Sequence, residues 1–413
     1  MVVNCMKYEL IIDDIDHQGR GIGHINGKTI FIPNALVGEC VEIEVTKNKK
    51  NYMEGKVINY IKTSSLRIKP ICPYFDKCGG CDLMHISYEE QLKYKKNKVI
   101  SIMKKFAHID KDVVNDIISC EQTLGYRNKI TFQVKEKLGL FERKSYQLIS
   151  VDKCLLVPDE VNNLINILNE YDLSKINSIV IRYTNLKQIM AVFTLKEDIP
   201  NNELVSKLEK HVTSVYKNLN TDYYKIYGQD YVTDTILDYK FNIYPSAFFQ
   251  VNRYQIVKLY DVILKYAELT GKEKVLDLYC GTGTIGTYLS KYAKEVLGVE
   301  INELAIKNAN ENKRINNIDN ITFVNGNVSK VINNLDYKPD LIIVDPPRVG
   351  LDKNTINYIL SKKTDKVIYV SCNPITLARD IKLMDEYDVE KITPVDMFPN
   401  TEHVECVCVL KRR

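Results

Sequence analysis

The sequence lacks any apolar run long enough to cross a membrane, and this absence excludes a membrane-spanning helix. No uninterrupted apolar segment of the 413-residue chain reaches the roughly 20 residues that a bilayer requires. The first ten residues also lack the basic-then-apolar order of a secretion signal. Internal repeats and low-complexity segments are missing as well. We therefore expect a cytoplasmic globular protein of two or three domains, with a monomer as the favoured state.

The chain also has little net charge, so its overall balance argues only weakly for a nucleic-acid partner. There are 57 Lys and Arg residues against 53 Asp and Glu residues, a formal charge of +4. The distribution is more informative, because basic residues concentrate between 93 and 111 and between 127 and 144. A solvated face is the ordinary reason for such clusters, and contacts with RNA phosphates are the alternative.

Eleven cysteines are present, and a reducing cytosol makes disulfides an unexpected use for them. Cys72, Cys78 and Cys81 form a compact group, and Cys154 is a candidate fourth ligand. Four thiolates suit a structural zinc ion or an iron–sulfur cluster, and the spacing alone does not separate the two. A group without any metal is the third alternative.

Periodicity predicts an α/β protein of three units. Residues 1–62 are expected to form a β-barrel of the oligonucleotide-binding kind, with five short strands and a glycine-rich turn at 19–23. Residues 63–240 are expected to form a mixed α+β domain with a lysine-rich helix at 88–106. From residue 241 to 413, short apolar strands alternate with helical patterns, which predicts a Rossmann-like parallel sheet covered on both faces. The predicted strands are 8–12, 28–32, 39–45, 53–58, 129–134, 179–183, 189–195, 274–278, 295–300, 341–345 and 366–370.

A glycine-rich loop follows the strand at 274–278. It runs from Asp277 to Gly286 and contains G-x-G-x-x-G, while Glu300 ends the next strand where a ribose-binding acid belongs. Dinucleotides place a pyrophosphate on the helix that follows such a loop, and the Asp277 carboxylate would repel it. The ammonium and sulfonium groups of S-adenosylmethionine would be attracted instead. The loop therefore favours a methyltransferase over an NAD-dependent oxidoreductase.

Two further strand ends carry reactive residues, Asp345 and Cys372. The carboxyl ends of parallel strands meet at one crevice of the sheet, so both are expected to face the cofactor. A pyrimidine C5 is a poor nucleophile, but addition of a thiolate to C6 gives C5 carbanion character. A base must then remove the C5 proton. A buried structural thiol is the ordinary alternative for a free cysteine, and the segment 401–406 supplies carboxylates for the base.

The run from Ser371 to Asp380 resembles the RNA uridine-5-methyltransferase family. The segments 345–348 (DPPR), 403–405 (HVE) and 248–252 (FFQVN) fit the same family, and the likeness spans nearly the whole chain. The resemblance implies that Cys372 is the nucleophile and Glu405 the base that takes the C5 proton. It also implies a set of S-adenosylmethionine contacts, with Asn327 at the adenine end: Gln250, Tyr279, Thr284, Glu300, Asn327 and Asp345.

The N-terminal barrel and the cysteine group resemble the branch of this family that modifies 23S ribosomal RNA. That likeness implies a TRAM domain at the N-terminus and a helix at 88–106 that packs on the C-terminal domain. It also implies a 4Fe-4S cluster held by Cys72, Cys78, Cys81 and Cys154. Transfer RNA is the nearest alternative substrate, but bacterial enzymes of that branch generally lack the barrel and the cysteine group that this chain has. A non-catalytic RNA-binding or assembly factor is the alternative from another class.

Overall fold

The computed structural model of the chain describes residues 7–331 and 336–413, and these residues form two compact units. The first unit comprises the described residues up to Lys98, together with Leu140–Ile149 and Phe398–Glu402. The second comprises Val99–Gly139, Ser150–Met397 and His403–Arg413, apart from residues 332–335. Residues 1–6 of the predicted barrel lie outside the described residues. Within the described chain, no helix has both the length and the apolar character needed to cross a bilayer.

The first unit contains a six-stranded sheet in the order β1-β5-β6-β4-β3-β2. Its core is aliphatic and includes the fully buried Ile30, Ile32 and Ile43. Gly21 and Gly23 lie in strand β3 and not in the predicted turn. Position 23 requires glycine because a Cβ there would meet Leu10 Cδ1 at 2.5 Å. The strands are β1 (Lys7–Ile11), β2 (Asp14–Ile15), β3 (Gly21–Ile25), β4 (Lys28–Ile32), β5 (Cys40–Asn48) and β6 (Tyr52–Lys62).

Helix α1 (Tyr88–Ile102) occupies the predicted lysine-rich segment and continues as one π-helical turn, Met103–Ala107. Two side chains of its first half bind the segment Phe398–Glu402. Gln91 Nε2 donates to Asn400 Oδ1 at 3.2 Å and its Oε1 accepts from the Asn400 backbone N–H at 2.8 Å, while Lys95 Nζ donates to the Phe398 carbonyl at 2.9 Å. At the other end, Val99, Ile102 and Met103 are buried in the core of the C-terminal sheet. This end of the helix packs as the family resemblance implies.

A mixed region precedes the C-terminal sheet. Strands β13, β12, β11, β10 and β7 lie side by side in that order, followed in the chain by a β14–β15 hairpin. A 3-10 turn occurs at Lys111–Val113. The other elements are β7 (Lys129–Val134), β8 (Leu138–Phe141), β9 (Leu148–Ser150), α2 (Asp159–Leu168), β10 (Ile176–Tyr183), β11 (Ile189–Leu195), α3 (Asn201–Val205), β12 (Ser214–Leu219), β13 (Asp222–Gly228), β14 (Val232–Ile236) and β15 (Tyr239–Ile243).

The C-terminal sheet has the order β18-β17-β16-β19-β20-β22-β21. Its first five strands are parallel, and β22 pairs antiparallel with both β20 and β21. The chain order reverses between β16 and β19, and the carboxyl edge at that point is where ligands bind in such sheets. The elements are α4 (Ile256–Ala267), β16 (Lys274–Leu278), α5 (Thr284–Ser290), β17 (Glu295–Glu300), α6 (Glu303–Ile315), β18 (Ile321–Asn325), α7 (Val328–Val331), β19 (Leu341–Val344), α8 (Lys353–Lys362), β20 (Lys366–Ser371), α9 (Pro374–Leu383), β21 (Tyr387–Val395) and β22 (Glu405–Arg412).

Candidate active site

The loop between β16 and α5 is tightly constrained. Tyr279, Gly281 and Gly283 all have positive φ, at 63°, 56° and 75°. A Cβ on Gly283 would lie 2.5 Å from the Phe323 ring, so this position has no room for a side chain. The Tyr279 hydroxyl and Thr355 Oγ1 are 3.2 Å apart, and this contact fixes the tyrosine ring over the loop. The loop is therefore a rigid strand-to-helix turn of the type predicted from the glycine pattern.

Asp277 lies inside the sheet below this loop and has no exposed surface. One carboxylate oxygen accepts a hydrogen bond from the Gly286 N–H at 3.2 Å, and the other has no partner. Burial, with the nearby Asp345 carboxylate, raises the pKa of Asp277 to about 8. A buried carboxylate without a full set of donors costs free energy, so the site favours a ligand that brings a cationic donor.

Glu300 lies at the end of β17 and is held by the backbone. Its two carboxylate oxygens accept from the Gly281 N–H at 3.1 Å and from the Asn302 N–H at 2.8 Å. These bonds orient the carboxylate toward the glycine loop while leaving lone pairs for a further donor. Asn327 is exposed, and its Oδ1 accepts from the backbone and hydroxyl of Ser329 at the start of α7. Its carboxamide oxygen therefore caps a helix in this structure.

Thr284 and Gln250, two further predicted cofactor residues, lie at or beside the loop. Thr284 begins α5, and its Oγ1 lies 2.6 Å from the hydroxyl of the buried Tyr260. Gln250 is buried, and its backbone carbonyl accepts a hydrogen bond from Asn128 Nδ2 at 3.0 Å. The backbone near Gln250 is tied to the loop, because Thr282 Oγ1 donates to the Phe248 carbonyl at 3.2 Å.

Cys372 occupies the turn between β20 and α9. Asn373 caps the helix by accepting from the Ile375 N–H at 3.2 Å, and Pro374 takes the first helical position, where its missing N–H costs nothing. Ser371 Oγ accepts from the Asn373 N–H and donates to the Asn373 carbonyl, both at 3.1 Å. The turn around Cys372 is thus fixed from both sides, and its thiol is only partly buried.

The register of β20 and β22 brings the predicted nucleophile and base together. Ser371 pairs with Cys406 in the antiparallel ladder. One step further in the same register sets Cys372 opposite Glu405, the first residue of β22. Glu405 is buried, with 4% of its surface exposed. Asp345 follows the last residue of the neighbouring strand β19. Three predicted site residues therefore share the carboxyl edge of adjacent strands.

Burial dominates the electrostatics of this group. It raises the pKa of Cys372 to about 11, with the Glu405 carboxylate as the next contribution. Burial and the Asp345 carboxylate also raise the pKa of Glu405 well above its usual range. The Arg348 guanidinium opposes both shifts. Like charges gathered in a buried crevice are characteristic of functional sites, because they are costly for stability alone.

Arg348 is a site residue to which the sequence analysis gave no role. Its backbone carbonyl accepts from Asn373 Nδ2 at 3.0 Å and from Thr376 Oγ1 at 3.3 Å, which ties it to the Cys372 turn. Its guanidinium lies 3.3 Å from His403 Nε2, two residues before Glu405. The D-P-P-R and H-V-E segments were the available signals, but only the fold shows that their side chains meet.

The predicted metal ligands do not form a metal site in this structure. Throughout residues 7–331 and 336–413, no group of three or more His, Cys, Asp or Glu side chains is arranged to hold a metal ion. The Cys78 thiol is buried and accepts from the Gly80 N–H at 3.4 Å. Of the four predicted ligands, Cys78 and Cys81 are buried, whereas Cys72 and Cys154 are half-buried. The geometry thus does not support the predicted 4Fe-4S cluster.

Several lysines of the basic helix have structural partners, and Lys95 and Lys98 are buried away from RNA phosphates. Lys95 is fully buried, and Lys98 donates to the carbonyl and the carboxylate of Glu402. Lys93 pairs with Glu89 and Glu90. A second candidate surface in the first unit is a cavity of about 640 Å³ along β6, where Glu54, Asp76 and Glu142 lie among basic residues. Its basic lining consists of Arg20, Lys47, Lys56, Lys77, Arg143 and Lys144.

Comparison with known families decides the identity of the fold. A model of the tRNA (uracil-5-)-methyltransferase family matches residues 87–413, and a model of the TRAM domain matches residues 6–58. The chain belongs to the tRNA (uracil-5-)-methyltransferase family. Both the recognised family and the TRAM domain predicted from sequence are thereby confirmed.

Several relatives match this chain over nearly its full length. It is 38% identical to an uncharacterized RNA methyltransferase of Clostridium acetobutylicum, over 98% of this chain and 97% of the relative. A protein of the same description from Staphylococcus aureus is 37% identical, with 96% of each chain covered. Among solved structures, the tRNA (uracil-54, C5)-methyltransferase of Pyrococcus abyssi, in complex with S-adenosyl-L-homocysteine, has a TM-score of 0.80 and 28% identity. The match covers 97% of this chain and 99% of the Pyrococcus abyssi chain. The predicted Rossmann-like fold is confirmed.

Proposed function

We propose that the chain methylates C5 of a uridine in 23S ribosomal RNA, with S-adenosylmethionine as methyl donor and Cys372 as covalent nucleophile. The observation that carries the proposal is the strand register that sets Cys372 opposite Glu405 at the carboxyl edge of the sheet. Family membership supports RNA uracil as the substrate class.

The residues of the glycine loop fit S-adenosylmethionine, which supplies the methyl group when bound. Asp277 offers a buried carboxylate oxygen without a partner, and Asp345 adds a second carboxyl group nearby. Two acids would repel a pyrophosphate and attract the ammonium and sulfonium groups. Glu300 is oriented to accept from the ribose hydroxyls. We assign the remaining cofactor contacts to Gln250, Tyr279, Thr284 and Asn327. Asn327 would donate through its side-chain NH2 group, because its side-chain oxygen already caps α7.

Each side chain has one task in the proposed reaction. The Cys372 thiolate forms a bond to C6, and the C5–C6 π electrons move toward O4 to give an enolate. C5 would then take the methyl group as its bond to the sulfur of S-adenosylmethionine breaks, and S-adenosylhomocysteine would leave. Glu405 removes the C5 proton, the C–H electrons re-form the C5–C6 double bond, and the bond from Cys372 to C6 breaks to release the thiolate. Burial suits Glu405 to this role, because a raised pKa makes its carboxylate a stronger base.

A uridine in folded RNA must leave its stack to reach Cys372, which requires contacts with the flanking nucleotides. We assign part of this grip to the TRAM domain. Its basic cavity also contains the aromatic residues Phe31 and Tyr60, and barrels of this kind bind nucleotides by combining stacking with phosphate contacts. The 4Fe-4S cluster stays a prediction from the cysteine pattern and the resemblance, and no step above involves it.

Trapping with 5-fluorouridine tests the covalent mechanism. Fluorine at C5 cannot be removed as a proton, so a methylated adduct should accumulate between the enzyme and 5-fluorouridine-substituted ribosomal RNA in the presence of S-adenosylmethionine. Cys372→Ala should abolish the adduct seen on denaturing gels, whereas Cys40→Ala, which removes a thiol of the barrel, should retain it.

Glu405→Gln should accumulate an adduct with ordinary RNA, because the C5 proton stays in place. A wild-type protein that forms no adduct with ribosomal or transfer RNA would instead be a non-catalytic RNA-binding factor.

Transfer RNA is a second candidate substrate. The observation in its favour is the similarity, over 97% of this chain, to a Pyrococcus abyssi enzyme that acts on uracil-54 of transfer RNA. Deleting the gene and mapping 5-methyluridine in both RNA classes separates the two. Loss from 23S ribosomal RNA alone is the expected result, and loss from transfer RNA alone would replace our assignment with the second candidate.

A further inference from the structure

A second cavity lies in the second unit, on the face of α6. Its volume is about 460 Å³, and it is lined by the β12–β13 hairpin, the segment 244–246 and one side of the helix. The helix contributes Leu304, Lys307, Asn308 and Glu311, at the spacing that places residues on a single face. The sequence analysis gave this region no function.

Three tyrosines form the aromatic walls of this cavity. Tyr216 and Tyr244 are fixed by their hydroxyls, which donate to the Asp230 carbonyl at 2.7 Å and to Glu311 Oε2 at 2.7 Å. Tyr223 is 39% exposed. It pairs with Asn218 across the hairpin, on the same face as Tyr216. Two fixed rings and one open ring make a slot that suits a flat aromatic ligand.

The cavity has one buried acceptor without a partner, whereas the Glu311 carboxylate already accepts from Asn242 Nδ2 and from the Tyr244 hydroxyl. Asn308 is 2% exposed, its Nδ2 donates to the Asn242 carbonyl at 2.7 Å, and this bond leaves Oδ1 as an acceptor with no partner. Such a buried acceptor costs free energy until a donor binds it. The carboxylates of Asp222 and Glu311 also line the space. This acceptor-rich interior disfavours phosphate and suits an exocyclic amino group.

The cavity is connected to the cofactor loop by the chain itself. Segment 244–246 leads directly to Phe248, whose carbonyl accepts from Thr282 of the glycine loop. Helix α6 begins three residues after Glu300, at the same carboxyl edge of the sheet. The cavity and the cofactor loop therefore adjoin the same edge of the sheet.

We propose that this cavity is a subsite for an RNA base that carries an exocyclic amino group, stacked on Tyr223 with its amino group donating to Asn308 Oδ1. The base is adenine, cytosine or guanine, flanking the flipped uridine in sequence or in space. Uracil is disfavoured because it has no exocyclic amino group to donate to Asn308 Oδ1. Lys307 lies at the exposed rim and pairs with Glu303, a surface ion pair weak enough to be exchanged for a phosphate of the RNA chain. The proposal rests on the proposed function only for the identity of the RNA.

Binding of short oligonucleotides tests the subsite without methyl transfer. We would measure the affinity of the full chain for fluorescent octamers of adenylate, of uridylate and of purine riboside, which lacks the 6-amino group. The adenylate octamer should bind more tightly than the other two. Tyr223→Ala should weaken adenylate binding roughly tenfold and leave uridylate unchanged, while Tyr223→Phe keeps the preference.

Tyr224 provides the matched control, because it is the next residue on β13, is similarly exposed and faces the other side of the sheet, opposite Lys217. Tyr224→Ala should leave the adenylate preference intact. Equal affinities for the three octamers, or equal effects of the two alanine variants, would overturn the proposal. So would displacement of bound adenylate by spermidine at low concentration in wild type but not in Tyr223→Ala, which would identify an organic-cation site. Because none of these measurements requires catalysis, failure of the 5-fluorouridine adduct would leave their outcome interpretable.

Discussion

At the scale of single residues, the site is a small set of acids and one thiol whose charges burial suppresses. Cys372, Asp277 and Glu405 all have raised pKa values. The neutral forms of these groups are favoured in the free protein, and ligands that bring positive charge shift them toward their reactive forms. In the proposed mechanism, cofactor binding and the chemical step are therefore coupled through protons.

The reactivity of Cys372 should report this coupling. With a pKa of about 11, about one Cys372 thiol in a thousand is ionised at pH 8. Only this thiolate form is a nucleophile. Alkylation of Cys372 by iodoacetamide, followed by mass spectrometry, should rise about tenfold per pH unit from pH 7 to 10. Arg348→Gln should slow it several-fold at pH 8, because it removes the cation that lowers the thiol pKa. Arg348→Lys, which keeps the charge, is the control, and equal rates for the two variants would contradict this role of Arg348.

Asp277 leads to a second pH prediction. Its pKa of about 8 lies above the ordinary value, so the carboxyl group is protonated below pH 8 in the free protein. An ammonium-bearing ligand prefers the carboxylate, and binding must then release a proton. Affinity for S-adenosylhomocysteine should fall as the pH drops from 8 to 6. Calorimetry in two buffers of different ionisation enthalpy measures the released proton. Asp277→Asn should weaken binding and remove that release, and an unchanged release would assign the proton to another group.

At the scale of elements, the cofactor loop depends on a close approach between α5 and β18. Gly283→Ala would place a methyl group against the Phe323 ring at a positive φ. We expect a loss of about 1–3 kcal/mol from overpacking, beyond the roughly 1–2 kcal/mol cost of the left-handed backbone, and weaker cofactor binding. Urea denaturation and calorimetry measure the two effects.

Gly271→Ala is the matched control for this substitution. Gly271 has φ +88° and nothing within 4 Å of an added Cβ, so only the backbone cost should remain and cofactor binding should be normal. Equal losses in the two variants would mean that contact with Phe323 contributes nothing.

The same elements show what the sequence could predict. Four predicted strands match the structure to the residue, because turn residues bound each apolar run. They are the strands at 129–134, 189–195, 274–278 and 295–300. The edge strands β13 and β21 were not predicted, since β13 is mostly exposed and β21 lacks a regular alternation. Gly21 and Gly23 were misread as a turn, because close strand packing also requires glycine. The pairing of Cys372 with Glu405 lay beyond prediction, since it depends on an antiparallel register between strands far apart in sequence.

At the scale of the whole molecule, the cysteine group is the main disagreement between sequence and structure. The pattern and the resemblance predict a 4Fe-4S cluster, whereas the described residues contain no grouped metal ligands. Anaerobic purification decides between them. The prediction requires a brown protein with about four iron and four sulfide per chain, and Cys78→Ser and Cys81→Ser should lose the iron while Cys120→Ser keeps it. Stoichiometric zinc without iron, or no metal at all, would refute the cluster.

The binding of Phe398–Glu402 to the first half of α1 has a consequence for biosynthesis. A ribosome makes Gln91 and Lys95 some 300 residues before their partners Asn400 and Phe398. Domains generally fold in order from the N-terminus as the nascent chain emerges, but the first unit cannot complete these hydrogen bonds until translation is nearly over. A premature stop codon just before codon 405 would therefore remove β22 from the C-terminal sheet. A stop just before codon 398 would also deny the first unit its final contacts.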